Sequence, residues 1–218
     1  MASIFQILVV LSSLAASGYS LSCTECSSRS NSCTGPNVTC HSGSVCGAVS
    51  KKIWAPGSSG SQTLYEMLCI SQDKCNMSGS ASLPRNGKMK IGTSCCGTDE
   101  CTPTLPSLPA DSSASNGVIC RTCVTADPNG CSSSDRKSCT GDENMCFFLP
   151  TKSSGGGISA GGCATKSFCD FSRKDGAQEG VFICTSGSNS GSTSGSTGLH
   201  KGFYLPAMIG IFFLKLLI

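Results

Sequence analysis

The chain has 218 residues, 18 of them cysteine and 26 glycine, and its 16 basic and 13 acidic side chains leave a net charge of +3. Cysteine at about 8 % marks a disulfide scaffold, and so small a charge excess carries no basic stripe of the kind nucleic-acid binding needs. His41 and His200 are the two histidines, so a Ser-His-Asp or Cys-His enzyme would have to be built on one of them.

Residues Ile4 to Ala16 form an apolar run of secretory h-region length, followed by the small residues Ser17, Gly18 and Ser20. Residues 1–20 are therefore expected to be a signal peptide cleaved before Leu21, with Tyr19 as an alternative start. A buried N-terminal helix is the competing reading. The cysteines that begin at Cys23 weigh against it, because they imply export to an oxidising compartment.

Two cysteine groups follow. The first holds Cys23, Cys26, Cys33, Cys40, Cys46, Cys69, Cys75, Cys95, Cys96 and Cys101; the second holds Cys120, Cys123, Cys131, Cys139, Cys146, Cys163, Cys169 and Cys184. Each opens with C-x-x-C and three more cysteines, then has a long gap (47–68 and 147–162) followed by a cysteine, five residues and another cysteine, Cys69/Cys75 and Cys163/Cys169. This is an internal repeat. It divides the chain into domains over 21–101 and 120–185, joined by a Pro- and Ser-rich linker over 102–119 that reads as semi-extended. Domains this small lack a self-sufficient core and depend on bridges at roughly 2–4 kcal/mol each. AVSKKIW and TLYEMLC read as strands around the turn segment APGSSGSQ, and GVIC and VFIC read likewise. No stretch is expected to form an amphipathic helix. Spacing alone leaves the bridge connectivity open.

The C-terminus reads as a Gly/Ser/Thr stalk and spacer over 186–202 and an apolar tail over 203–218. Sixteen residues reach about 24 Å as a helix, short of the ~30 Å hydrocarbon core. A short membrane span is one reading. The favoured one is a glycosylphosphatidylinositol (GPI) signal with Asn189 as the attachment residue and a removable tail; Ser190 and Gly191 are alternatives.

The run CCGTDEC at Cys95–Cys101 is similar to the C-C-x-x-D-x-C-N close of the three-finger domain of the urokinase-receptor and lymphocyte-antigen family. The opening CTEC, the segment GGCATKSFC and the ten-cysteine spacing resemble the same domain, together covering nearly all of 21–184. The resemblance implies an all-β, disulfide-rich fold of two tandem three-finger domains. It also implies the pairings Cys23–Cys46, Cys26–Cys33, Cys40–Cys69, Cys75–Cys95, Cys96–Cys101, Cys120–Cys146, Cys123–Cys131, Cys139–Cys163 and Cys169–Cys184. Thr102 stands where the family usually has Asn, and the second domain lacks the closing C-C-x-x-D-x-C-N. Two such domains resemble both GPI-linked urokinase-receptor-like proteins and secreted phospholipase A2 inhibitors of the gamma type.

The two C-x-x-C motifs could also be read as zinc or redox sites, but export favours structural disulfides. His41 has no supporting nucleophile motif and reads as a surface residue. Asn37-Val-Thr and Asn76-Met-Ser are N-glycosylation acceptors. Lys51, Lys52 and the single Trp54, opposite Tyr65, form a candidate partner-binding patch, because aromatics beside cations are enriched in hot spots; Trp54 as a cover for a thin sheet is the alternative. Phe147 and Phe148 are a second candidate, for a partner or for the domain interface. Arg85, Lys88 and Lys90 read as a solvated loop. The expectation is a non-enzymatic, cofactor-free protein on the extracellular face of the plasma membrane, held by a GPI lipid and binding a protein ligand rather than nucleic acid. The alternative is a secreted inhibitor of an extracellular enzyme such as phospholipase A2.

Overall fold

The structure is a computed structural model, and it describes residues 20–126, 131, 134–153, 156–174 and 182–187. The fold is all-β and rich in disulfides. The first half contributes β1 (Ser22–Thr24), β2 (Cys26–Ser28), β3 (Asn37–Thr39), β4 (Ser44–Trp54), β5 (Ser61–Ser71), β6 (Ser78–Ser82) and β7 (Lys88–Cys96). The second contributes β8 (Ser115–Arg121), β9 (Cys123–Thr125), β10 (Arg136–Thr140), β11 (Met145–Ser153), β12 (Gly156–Ala164), helix α1 (Lys166–Lys174) and β13 (Ile183–Ser186).

One nine-stranded sheet runs through both halves in the order β13-β11-β12-β6-β7-β4-β5-β2, with β9 also on β12. In the first half β5, β4 and β7 are neighbours and β2 lies on β5; in the second β12, β11 and β13 repeat that order, with β9 on β12. The separate pairs β1–β3 and β8–β10 repeat likewise. The hairpins β1–β3, β4–β5 and β6–β7 give the first half a three-finger-like form. The expected strands AVSKKIW and TLYEMLC lie within β4 and β5, and GVIC lies within β8. β8 begins at Ser115, inside the segment read as linker.

Alternation along the strands gives the sheet two unlike faces. On one face Cys46 and Cys69 oppose each other across β4–β5, and Cys146 and Cys163 across β11–β12. Their bridges Cys23–Cys46, Cys40–Cys69, Cys120–Cys146 and Cys139–Cys163 build a cysteine knot for each half on this knot face. The opposite core face carries one apolar cluster drawn from both halves: Val49, Ile70, Ala81 and Ile91 pack in it with Phe147, Ala160, Ala164, Phe168 and Phe171. The remaining bridges are Cys26–Cys33, Cys75–Cys95, Cys96–Cys101, Cys123–Cys131 and Cys169–Cys184, so the nine pairs are those the resemblance implies.

Helix α1 corrects the expectation that no amphipathic helix is present. Thr165 caps it, its Oγ1 accepting from the Phe168 N–H at 3.2 Å. Among its described side chains, Phe168, Cys169 and Phe171 are buried. A stripe of three, one of them a bridged cysteine, is too short to register as a helical period over a window of ~11–18 residues. The helix starts against β6, where a Cβ on Gly79 would lie 2.6 Å from the Phe168 nitrogen.

The halves meet through backbone and side chain together. Ser82 and Ala81 of β6 pair with Cys163 and Ala164 of β12. Glu143 is 3 % exposed, and its carboxylate accepts from Ser80 Oγ at 3.0 Å and Ser82 Oγ at 2.6 Å. Residues 103–111 lie along β7 on the knot face: Pro103 and Pro106 are buried, Ser94 Oγ donates to the Thr104 carbonyl, and a Cβ on Gly92 would meet the Ser107 carbonyl oxygen at 2.3 Å.

Candidate functional site

The candidate surface is built on the β4–β5 hairpin and the neighbouring strand β7. Antiparallel register sets Lys52 opposite Lys90 and Trp54 opposite Lys88, all on the knot face. The Trp54 ring lies beneath two ammonium groups, Lys52 Nζ at 5.1 Å and Lys90 Nζ at 5.8 Å from the ring centroid. Such cation–π contacts contribute ~0.5–1 kcal/mol at exposed sites and more when desolvated.

Asp111, at the end of the docked segment, completes the cluster. Its Oδ2 accepts from Lys90 Nζ at 2.9 Å and its Oδ1 from Lys88 Nζ. Hydrogen bonds from Lys88 and Lys90 hold this carboxyl at about 2, below its ordinary 3.8. The Lys90 side chain is 8 % exposed whereas that of Asp111 is 67 % exposed. A carboxylate largely in water therefore neutralises a buried ammonium.

The tips of the second and third fingers are tied together. Pro84 to Gly87 form a tight turn, with the Gly87 N–H donating to the Pro84 carbonyl at 3.0 Å and with Arg85 and Asn86 at φ +52° and +61°. These are the positive values of a type I′ turn, which glycine and asparagine prefer. The Arg85 carbonyl accepts from the Gly57 N–H of the β4–β5 tip at 2.7 Å, and its side chain is exposed.

The structure separates the expected binding residues. Lys51 projects from the core face, where it pairs with Glu66 at 2.7 Å, away from Lys52 and Trp54. Tyr65 is not presented to a partner: it is 4 % exposed, packed with Ala48 and Met67 beside the Cys26–Cys33 bridge, and desolvation raises its hydroxyl pKa. Phe147 is likewise interior, 6 % exposed, with its ring 6.2 Å from Phe168 and 6.0 Å from Phe182. Phe148 stands on the opposite face, half-buried across from Ile183. Lys88 and Lys90 correct the loop reading, since both belong to β7. Their signal was the alternation Lys88-x-Lys90, which puts both on one face; Asp111 carried no local signal.

The sequon residues Asn37 and Asn76 are exposed. Asn37 Nδ2 donates to Glu100 Oε1 at 3.1 Å, and Asn76 follows the bridged Cys75, so both lie at the knot end, away from Trp54. At that end Asp99 Oδ1 accepts from the Ser22 N–H at 2.6 Å and ties the chain back to β1. The sulfur atoms that cluster around Cys23 and Cys120 belong to disulfides, and among the described residues no cysteine is free. His41 is exposed. Residues 1–19 of the expected signal peptide (1–20), the expected attachment residue Asn189 and the apolar tail lie outside the described residues. No helix among the described residues is long and apolar enough to cross a membrane. No protein-family model matches the chain.

Proposed function

We propose that the chain is a two-domain member of the urokinase-receptor and lymphocyte-antigen family, GPI-anchored on the extracellular face of the plasma membrane, that binds a protein ligand. The observation that carries the reading is the Trp54 cluster: an aromatic ring flanked by Lys52 and Lys90 at the finger end of a bridged sheet, with both sequons at the far end. Nine bridges and a docked linker hold the fingers before any partner arrives, so little ordering entropy opposes association. Finger loops and the surface between the halves are the recognition elements. The chain performs no chemistry of its own in this reading.

Treating expressing cells with a phosphatidylinositol-specific phospholipase C tests the anchor. The expected outcome is release of the chain into the medium. Retention on treated cells would make the tail a short span, and chain already free in the medium would leave a secreted binder in place of an anchored one.

A further inference from the structure

Fingers two and three of the first half are charged on one side of the balance. Glu66 is the single acid between Ser44 and Ser71, and there is none between Ser78 and Cys96, against Lys51, Lys52, Arg85, Lys88 and Lys90. Glu66 is spent on Lys51 across the core face. The knot face is thus left with Lys52, Lys88 and Lys90, with the exposed Arg85 at the tied tip, and with two acids from the chain beyond: Asp111, which pairs with Lys88 and Lys90, and Glu143, buried on Ser80 and Ser82.

Asp111 shows what this surface accepts. It is a carboxylate on an extended stretch of chain, seated between two lysines beside an aromatic ring, yet two-thirds in water. Its carboxylate is open to water while Lys90 is buried, so the ammonium needs an acidic partner and an incoming carboxylate can take over that role as Asp111 leaves. Arg85 adds a second indication. Its side chain is exposed at the place where the two fingertips join, which sets a further cation at the tip end of the same sheet.

We propose that the knot-face surface of Lys52, Trp54, Arg85, Lys88 and Lys90 binds an extended acidic segment of a partner protein, and that the linker's own Asp111 is the resident competitor for it. The inference rests on the protein-binding reading above and names the chemistry of the partner. A carboxylate of the incoming segment takes the place of Asp111 on Lys88 and Lys90, while further acids engage Lys52 and Arg85 and apolar atoms cover the Trp54 ring.

The test uses full-length chain on expressing cells, its surface level normalised by antibody, with fluorescein-labelled poly-Glu as the probe, poly-Lys as control and heparin as a separate ligand. Poly-Glu is expected to bind at low salt and to be lost as the Debye length shortens, whereas poly-Lys does not bind. Lys52→Glu and Arg85→Glu each weaken binding about tenfold. Asp111→Asn strengthens it about two- to fivefold, because the competitor is gone. No poly-Glu binding, or binding indifferent to Lys52→Glu and Arg85→Glu, overturns the proposal. Weaker binding by Asp111→Asn overturns the competitor role. Heparin binding without poly-Glu binding assigns the surface to a sulfated polysaccharide instead. Phospholipase C release from the same cells is scored independently, so a surface-anchored chain that ignores poly-Glu defeats this inference and leaves the anchor standing.

Discussion

Asp111 concentrates much of the local physics in one side chain. Its pKa of about 2 in the folded chain lies below the ordinary 3.8 because Lys88 and Lys90 donate to it. A group whose folded pKa is depressed adds stability that is fully present above its unfolded pKa and disappears as the pH falls through the folded one. The linker's hold on β7 is therefore expected to weaken between about pH 4 and pH 2. With the carboxylate 67 % exposed, the contribution is no more than about 1 kcal/mol. Trp54, the single tryptophan, lies beside Lys90 and reports the change: its fluorescence should step in that range in the parent chain and not in Asp111→Asn. An identical step in both would detach Asp111 from it. Sequence reading reached Trp54 and Lys52 because aromatics and cations are visible residue by residue. It missed Asp111, which sits in an aperiodic stretch and meets its partners across 23 residues of chain for Lys88.

Among the elements, α1 and β6 decide how the second half sits on the first. Helix α1 approaches β6 at Gly79, where a Cβ would meet the Phe168 nitrogen at 2.6 Å and its Cα at 2.9 Å. Both are backbone atoms, so a larger side chain has to push the helix away and disturb Phe168 and Phe171 in the shared core. Gly79→Ala is expected to lower stability by about 1–3 kcal/mol, read as a shift in denaturant midpoint. Gly97→Ala is the matched control: nothing lies within 4 Å of its Cβ, and the change should stay within ~0.5 kcal/mol. Equal shifts for the two would remove the close approach as the cause. The strands themselves were legible, since β-branched and aromatic residues alternate along β4 and β5; the helix was not, because three buried positions make no period.

For the whole molecule, two repeats have become one body. The apolar cluster takes Val49, Ile70 and Ile91 from the first half and Phe147, Phe168 and Phe171 from the second. The β6–β12 pairing continues the sheet across the junction, and Lys74 of the first half lies 5.5 Å from the Phe171 ring centroid. Unfolding without reduction is accordingly expected as a single transition, with Trp54 fluorescence in the first half and hydrogen exchange of β11 in the second giving the same midpoint. Glu143→Ala leaves the buried hydroxyls of Ser80 and Ser82 without their acceptor and should lower both readouts together by about 1–3 kcal/mol. Two separate midpoints would show independent domains joined by a tether.

The sequence by itself determined the class of this protein: 18 cysteines in two repeating groups dictate a bridged scaffold, since units of this size have too little apolar interior to fold otherwise, and the β-branched and aromatic segments between the cysteines read as strands. Alternation within 48–54 and 63–69 determined the central hairpin, because period two is a local property of the chain. Tertiary structure alone decided which side chains are offered outward. Register set Lys88 and Lys90 beside Trp54, finger one buried Tyr65, and the second half buried Phe147 in a core common to both. Each of these outcomes depends on pairing between segments distant in sequence, where the choice of face follows from neighbours that no local pattern encodes.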